Sequence, residues 1–423
     1  MIQEFSITNT FSIKDTQTIS FEAVNTGEED KIHIVEQADK KILKMACIYG
    51  ANASGKTNMA HAFKFYMGFL LFSFIELKPD EPTRFTPFLF DEESKNKPGR
   101  FNLIFYANDF DNENKTIRYE YNLELNEKEV VYESLYYSPK GQKKLIFERT
   151  TESIKWGSFV RGTKKVIEDL TRPNSSLIGA GAQVNHPIFS YIYKHFSNRI
   201  KSDFQFNGEG LSEDVMQLIV TDKDFKNKVI GLLSAADFGS ITDFKVESHF
   251  VPDAVIKMLP SSVQDEILKS GKKPVNRVLK VVHHYDKDYE LPLVLESAGT
   301  TKMLELTMPL VQLADSSVAV IDEIETSLHQ VLLETFIQLY LETSTDSQLI
   351  FTTHNQDLLD SDLLRDDEVW FCYKTDKGNS IYNSITDFTG IRKETSRKKL
   401  YEAGKFGGLP VVDMQKLREI FSL

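Results

Sequence analysis

A glycine-rich loop followed by a lysine and a threonine is the clearest chemical signal in this sequence. Residues 50–57 match at every fixed position the pattern of Gly, any four residues, Gly, Lys and then Ser or Thr. They are Gly50, Ala51, Asn52, Ala53, Ser54, Gly55, Lys56 and Thr57. In such a loop, called the phosphate loop below, backbone N–H groups surround phosphate oxygens, the lysine reaches the outer phosphates and the threonine hydroxyl ligates Mg²⁺. The alternative, a glycine-rich turn with a surface lysine, leaves the apolar strand before it and the helical pattern after it unexplained.

Two carboxylates follow directly after another apolar run. Residues 318–321 are Val-Ala-Val-Ile, and Asp322 and Glu323 come next. Ligands bind at the C-terminal ends of strands in parallel sheets. We therefore predict that Asp322 holds Mg²⁺ and that Glu323 polarises the water that attacks the γ-phosphate. A strand that simply ends in exposed acids would look the same in isolation.

Two weaker signals complete the set. His354 follows the apolar strand pattern at 351–353, and we predict that it senses the γ-phosphate, although a lone histidine is more often structural. Ser297 and Gly299 lie in a small-residue turn that enters a helix, 322 − 299 = 23 residues before Asp322. The start of such a helix is a second anion-binding position. An ordinary N-cap serine is an equally adequate explanation of this turn.

The elements that must position these residues alternate between strands and helices at both ends of the chain. Apolar patterns predict strands at 2–7, 18–21, 42–49, 318–321 and 348–352, and helices from 58 and over 331–340. This alternation favours a parallel sheet. Residues 101–148 indicate an antiparallel meander, 185–236 are mainly helical, and a strand pair is predicted at 241–246 and 277–284. The absence of a long heptad array excludes extended coiled-coil arms.

Composition and charge exclude several classes of protein. The chain has 423 residues, 41% of them hydrophobic, and a net charge of −12, which is typical of a globular protein and not of a disordered or fibrous one. Cys47 and Cys372 are far apart in sequence, so neither a disulfide framework nor a cysteine-rich zinc site is predicted. The N-terminal residues do not resemble a secretory signal and no segment is apolar enough to span a membrane. We expect a cytoplasmic protein without a membrane partner.

The charge of the chain leaves open whether it binds nucleic acid. The acidic balance disfavours a protein coated by nucleic acid, because phosphate neutralisation needs clustered Lys and Arg. Local basic clusters at 272–273 and 392–399 fit either solvated faces or direct contacts with nucleic acid. The adjacent pair His283 and His284 would point to opposite faces of a strand, which makes it a poor metal site.

Five parts of the sequence together resemble the ATP-binding-cassette (ABC) ATPase family, which includes DNA-repair and chromosome-maintenance ATPases of the SMC and RecF type. They are the phosphate loop, Ser297–Gly299, residues 318–323, the turn at 325–329 and His354. Residues 322–329 (Asp-Glu-Ile-Glu-Thr-Ser-Leu-His) and 401–410 (Tyr-Glu-Ala-Gly-Lys-Phe-Gly-Gly-Leu-Pro) look like the overcoming-lysogenisation-defect (OLD) branch of bacterial antiphage defence. The resemblance covers residues 1–75 and 290–410.

The resemblance implies an α/β fold: an ABC-type P-loop ATPase head with split lobes, an antiparallel β meander and a mainly helical insert without long coiled coil. It divides the chain into an N-terminal ATPase lobe at 1–148, a mixed, mainly helical insert at 149–285 and a C-terminal ATPase lobe at 286–423. One departure is that residues 58–100 contain no glutamine, so the glutamine-containing loop of the family has no counterpart there.

The resemblance also implies ATP and Mg²⁺ as cofactors. Lys56, Glu323 and His354 would be catalytic, and Thr57 and Asp322 would hold the metal. Ser297 and Gly299 would reach the γ-phosphate of a nucleotide held by a partner subunit, so a homodimer or higher homo-oligomer would form on ATP.

At the level of biology, the resemblance suggests the sensor ATPase of an antiphage, abortive-infection or toxin–antitoxin-like system. Such an ATPase would control a separate effector, a nuclease or a toxin, and would carry no nuclease domain of its own. The first alternative is a DNA-repair or recombination-mediator ATPase that acts directly on DNA. The second is a binding scaffold with an inactive nucleotide site, against which the intact set of Lys56, Asp322, Glu323 and His354 argues.

Overall fold

The chain forms two compact units in a computed structural model. The first comprises Met1–Ser202, Leu313–Glu325 and Ile337–Leu423, and the second comprises Asp203–Gln312 and Thr326–Phe336. The structure describes all residues except 25–29, 202–212, 237, 259–263, 265–266, 269–270, 272, 314–316, 392–394, 410–412 and 422–423. Parts of both predicted basic clusters, namely 272 and 392–394, and the end of the 401–410 motif lie outside the described residues.

The strands are β1 (Ile2–Thr8), β2 (Gln17–Ser20), β3 (Ile34–Gln37), β4 (Lys40–Leu43), β5 (Met45–Gly50), β6 (Gly99–Asp109), β7 (Asn112–Leu125), β8 (Val130–Ser138), β9 (Lys144–Thr150), β10 (Ile154–Trp156), β11 (Ile200–Lys201), β12 (Ile241–Phe250), β13 (Val275–His284), β14 (Asp288–Pro292), β15 (Val318–Ile321), β16 (Gln348–Thr353), β17 (Val369–Lys374) and β18 (Ser380–Ser384). The helices are α1 (Lys56–Glu76), α2 (Glu92–Lys95), α3 (Lys164–Leu170), α4 (Leu177–Gln183), α5 (Pro187–Arg199), α6 (Glu213–Thr221), α7 (Lys223–Ala235), α8 (Asp253–Ile256), α9 (Ala298–Leu313), α10 (Gln330–Thr343), α11 (Arg397–Glu402) and α12 (Met414–Ile420).

A six-stranded sheet in the first unit carries the phosphate loop. Its order is β11-β15-β16-β5-β17-β18, and all neighbours are parallel except β17 and β18. Every residue of β5, β15 and β16 is buried, which explains the mainly apolar sequences of β5 and β15; β16 also buries Gln348, Thr352 and Thr353. Because β5, β15 and β16 are parallel neighbours, their C-terminal ends meet at one edge of the sheet.

A seven-stranded antiparallel sheet also belongs to the first unit. Its order is β10-β9-β8-β7-β6-β1-β2, so the predicted meander is present and β1 extends it. Aromatic side chains join this sheet to α1: the Phe5 and Phe63 rings lie 5.2 Å apart, and the Tyr66 ring stacks on Phe101 at 5.5 Å. Tyr66 Oη also donates to the backbone oxygen of Tyr121 at 3.1 Å. These contacts fix the helix that follows the phosphate loop.

The predicted strand at 42–49 is divided in the structure. Residues 40–43 form β4 and pair with β3, whereas residues 45–50 form β5 in the parallel sheet. The apolar pattern runs through both strands because both are buried at their adjoining ends. Residues 149–202, which the resemblance placed in the insert, lie in the first unit, so the compact second unit begins later than the boundary at 149. The division into two ATPase lobes and an insert stays a prediction.

The second unit is built on an antiparallel sheet of β12, β13 and β14. Apolar side chains from α7, the sheet and α9 form its core, which includes Val229, Leu233, Phe244, Val281 and Leu304. The predicted strand pair is therefore present. This unit also contains Ser297, Gly299 and residues 326–336.

Candidate functional site

The phosphate loop connects β5, which ends at Gly50, to α1, which begins at Lys56. Both of its fixed glycines are required by close contacts. A Cβ on Gly50 would lie 2.3 Å from the backbone oxygen of Cys372, and one on Gly55 would lie 2.1 Å from Ser380 Oγ. Gly55 also has a φ of 115°, which L-residues with side chains rarely adopt.

The Lys56 side chain lies along the phosphate loop. Its Nζ donates to the backbone oxygens of Gly50 at 2.8 Å and Ala51 at 3.0 Å. Burial lowers the pKa of Lys56 below its ordinary value. The two hydrogen bonds therefore hold the Lys56 amino group at the phosphate loop.

Asp322 joins the phosphate loop to the end of β15. Thr57 Oγ1 donates to Asp322 Oδ2 at 2.9 Å, and Thr352 Oγ1 donates to Asp322 Oδ1 at 2.5 Å. The hydroxyl of Thr57 and the carboxylate of Asp322, 265 residues apart in sequence, thus lie in contact. These are oxygen ligands, and Mg²⁺ binds through one or two such groups together with waters and substrate phosphates. The residues fit a Mg²⁺ site.

Glu323 and His354 lie beside Asp322. The Glu323 backbone has a φ of 46°, and its N–H donates to Thr352 Oγ1 at 2.8 Å. Its carboxylate lies 3.9 Å from His354 Nε2, and both side chains are partly open to solvent. The His354 backbone N–H is fixed by a hydrogen bond to Glu325 Oε1. Two of the three predicted catalytic side chains, Glu323 and His354, are therefore adjacent to each other and accessible to water.

Thr352 is a site residue that our sequence analysis missed. Its hydroxyl accepts from the Glu323 N–H and donates to Asp322, so it positions both acids of the strand end. The position of Thr352 in the sequence could have indicated this role, because Thr352 lies near the C-terminal end of β16, the strand beside β15. A hydroxyl at the end of a buried strand, two residues before His354, was a reason to include it.

Ser297 and Gly299 lie in the second unit. Ser297 Oγ accepts from the Thr300 N–H at 3.0 Å, so the serine has the geometry of an N-cap for α9. A Cβ on Gly299 would lie 3.3 Å from the backbone oxygen of Ser327, which places this turn against the turn at 325–329. Ser327 itself has a φ of 62°. This capping geometry does not test whether Ser297 and Gly299 contact a nucleotide held by a partner subunit, so that contact stays a prediction.

The other candidate ligands are occupied by separate partners. His283 Nε2 lies 2.7 Å from Glu296 Oε1, and His284 Nδ1 lies 2.7 Å from Asp288 Oδ1. Over the part of the chain that the structure describes, no group of three or more His, Cys, Asp or Glu side chains could hold a metal ion. In the same residues, no helix has both the length and the apolar character needed to cross a membrane.

The chain has the features of the class of P-loop ATPase domains. These are a strand, a glycine-rich loop with lysine and threonine, a helix, and an acid from a neighbouring parallel strand. The chain belongs to the family described as "AAA domain, putative AbiEii toxin, Type IV TA system", whose sequence profile matches residues 45–360. The assignment to the OLD branch within this class stays a prediction.

Several solved structures resemble the chain. They include "Crystal structure of the SmcHead bound to the C-winged helix domain of ScpA" (12% identity, 95% of this chain and 99% of that chain, TM-score 0.40); an SMC head domain from Thermotoga maritima (12% identity, 90% and 98%, TM-score 0.40); and an Smc head domain with an extended coiled coil bound to the C-terminal domain of ScpA derived from Pyrococcus furiosus (13% identity, 95% and 99%, TM-score 0.42). Nothing about function follows from similarity at this level. No curated protein sequence matches the chain.

Proposed function

We propose that this protein binds and hydrolyses ATP and acts as a molecular switch that dimerises when ATP binds. The observation that carries the proposal is the hydrogen bond between Thr57 and Asp322. It brings together the two groups that would share one metal ion, although they come from opposite ends of the chain. Membership of the chain in a family of AAA domains also supports binding and hydrolysis of ATP.

In this proposal each side chain has a distinct task. Lys56 binds the outer phosphates, and Thr57 and Asp322 hold the metal. Mg²⁺, when bound, supplies positive charge that neutralises the phosphate oxygens. Glu323 would orient the attacking water, and His354, whose Nε2 lies 3.9 Å from the Glu323 carboxylate, would contact the γ-phosphate.

The dimer is proposed to form through the turn at Ser297 and Gly299. Ser297 is exposed, and two apolar side chains that precede it, separated from it by Glu296, are also exposed: 86% of Val294 and 68% of Leu295 are accessible. Adjacent exposed apolar residues of this kind favour contact with another protein surface. Each protomer would offer its turn to the nucleotide held by the other, so hydrolysis would weaken the association.

At the level of biology we propose a cytoplasmic sensor ATPase of an antiphage or toxin–antitoxin-like system that controls a separate nuclease or toxin. The description of the family names a Type IV TA system, which supports the toxin–antitoxin setting; it calls the AAA domain itself a putative toxin and names no separate effector. Co-purification with a stable protein partner from the native host, and identification of that partner by mass spectrometry, tests it. A partner without toxin or nuclease chemistry would count against this role.

A second function, direct action on DNA, is favoured by one feature of the first unit. A cleft of about 490 Å³ between β1, the β3–β4 turn and β6–β8 is lined by four cationic side chains and by a single acid, Asp39. The cations are Lys40, Lys115, Arg118 and Lys140. Lys40 and Arg118 pair with Glu22 and Glu120, so Lys115 and Lys140 are the cations that this cleft would offer to nucleic-acid phosphates. Salt-dependent DNA binding that Lys140→Glu weakens would support this second function.

Glu323→Gln tests the proposed ATPase cycle. The amide keeps the shape of the side chain but cannot polarise water as the carboxylate does, so we expect ATP hydrolysis to fall by at least about 100-fold, within the range attributed to general-base catalysis. Nucleotide binding should persist, and light scattering should show a stable dimer in ATP but not in ADP. Normal turnover in this variant would contradict the role of Glu323, and a monomer in ATP would contradict the dimer.

A further inference from the structure

Two carbonyl groups of the phosphate loop are held by side chains that lie outside the loop. The Ser54 carbonyl accepts hydrogen bonds from Ser380 Oγ at 2.6 Å and from Cys372 Sγ at 3.3 Å. The Gly55 carbonyl accepts hydrogen bonds from Tyr382 Oη at 2.6 Å and from the Asn58 N–H in the first turn of α1 at 2.9 Å. All three side-chain donors are buried, and all three belong to the hairpin of β17 and β18.

The direction of these hydrogen bonds is fixed by their neighbours. Asn58 Nδ2 donates to Ser12 Oγ at 2.6 Å, and Ser12 Oγ lies 2.7 Å from Ser380 Oγ. Ser380 has one hydroxyl proton and gives it to the Ser54 carbonyl, so Ser12 must donate to Ser380 and accept from Asn58. The series of donors therefore runs one way, from the first turn of α1 to the phosphate loop.

These contacts determine where the backbone N–H groups of the phosphate loop point. A planar trans peptide directs its carbonyl oxygen and its N–H group to opposite sides. Holding the Ser54 carbonyl toward β18 directs the Gly55 N–H away from β18, and holding the Gly55 carbonyl does the same for the Lys56 N–H. Backbone N–H groups at these positions are the donors that a phosphate loop offers to its ligand.

We infer that Ser380 and Tyr382 are positioning residues for the nucleotide phosphates and act through the backbone of the phosphate loop. The inference rests on the proposed ATP-binding function and adds residues that no sequence motif marks. Donors that are already aimed before the ligand arrives need no reorganisation on binding, which favours affinity. Without the hydroxyl of Ser380, the Ser54 carbonyl keeps only the weak thiol donor of Cys372, and this peptide gains freedom to rotate.

The test compares Ser380→Ala and Tyr382→Phe with the wild-type protein. Ser384→Ala is the matched control, because it removes a hydroxyl from the same strand, and that hydroxyl contacts Thr386 and not the phosphate loop. Calorimetric titration measures the affinity for ATP and for inorganic tripolyphosphate. We expect Ser380→Ala to bind both ligands about three- to tenfold more weakly, as for the loss of one intramolecular hydrogen bond, and the control to bind as the wild type does. Tyr382→Phe should also bind both ligands more weakly but by a smaller factor, because the Gly55 carbonyl keeps its hydrogen bond from the Asn58 N–H. Equal losses for both ligands are expected because the N–H groups contact phosphates and not the base.

A rescue variant separates positioning from general stability. Cys372→Ser in the Ser380→Ala background offers a hydroxyl to the same carbonyl, so it should recover part of the lost affinity, whereas a purely structural defect would persist. Unchanged affinity in both Ser380→Ala and Tyr382→Phe, with a wild type that binds ATP, overturns the inference and leaves the proposed function intact. A wild type that does not bind ATP overturns the proposed function itself. If Ser380→Ala fails to fold, the result for Tyr382→Phe decides.

Discussion

Replacement of Asp322 by asparagine tests whether the residue that joins the two ends of the chain also holds the metal. Asp322 accepts hydrogen bonds from Thr57 and Thr352. In Asp322→Asn the amide keeps the shape, and both hydroxyls can rotate to remain paired. A hydrogen bond to a charged group contributes about 1 kcal/mol more than a neutral one, so two such bonds predict a loss of about 2 kcal/mol in the free energy of unfolding.

The effect on metal binding should be larger. A pair of unit charges 4 Å apart interacts by about 1 kcal/mol in water and about 4 kcal/mol at an effective dielectric constant of 20. Asp322 is partly exposed and Mg²⁺ carries two charges, so we expect loss of the carboxylate charge to weaken Mg²⁺ binding by about 2–4 kcal/mol, or roughly 30- to 1000-fold.

The assay is a calorimetric titration of ATP in the presence of Mg²⁺ and again in EDTA. We expect the loss in Asp322→Asn only with Mg²⁺, because the carboxylate contributes through the metal. Asp111→Asn, which changes an exposed acid in the turn between β6 and β7, is the control and should bind as the wild type does. An equal loss in EDTA and in Mg²⁺, or no loss at all, would refute the assignment of the metal site.

Three further predictions concern single side chains. Lys56→Ala should abolish ATP binding because it removes the cation held at the loop, and a variant with unaltered affinity in calorimetry would contradict that assignment. Ser297→Arg should leave ATP binding intact but block ATP-driven dimerisation by placing a large cation in the turn, so unchanged association by light scattering would remove the proposed partner contact. Desolvation among rings such as Phe105 and Phe196 lowers the pKa of His195 well below its ordinary value, so this imidazole is neutral in the folded protein where the unfolded chain is protonated. The free energy of unfolding, measured by chemical denaturation, should therefore contain a stabilising contribution from His195 that is complete above about pH 6.5. As the pH falls toward the folded-state pKa, this contribution is lost at up to about 1.4 kcal/mol per pH unit, so the free energy of unfolding should depend less steeply on pH in His195→Phe. Equal slopes in the two proteins would contradict this.

The sequence predicted the parts of the site that depend on local pattern. The phosphate loop is a contiguous run, and the acids after 318–321 follow a buried strand, so both could be recognised without the fold. The resemblance to ABC-type ATPases then implied that Thr57 and Asp322 hold the same metal ion. The contact between Thr57 and Asp322 agrees with that expectation.

The parts that the sequence did not predict depend on long-range contacts. Ser380 and Tyr382 lie more than 300 residues from the loop they support, and their role arises only because β17 pairs with β5 and carries β18 beside it. Ser12, in the loop after β1, is hydrogen-bonded to Ser380. Single buried serines and tyrosines at such positions give no periodic or compositional signal, because the geometry of the folded sheet alone makes them donors.

A crystal structure with Mg²⁺ and a non-hydrolysable ATP analogue tests most directly whether both ends of the chain bind one nucleotide. We expect phosphates within the phosphate loop at 50–57, and one Mg²⁺ that binds Thr57 Oγ1 and has Asp322 in its coordination shell. Phosphates bound elsewhere, or a metal ion that contacts neither Thr57 nor Asp322, would contradict it.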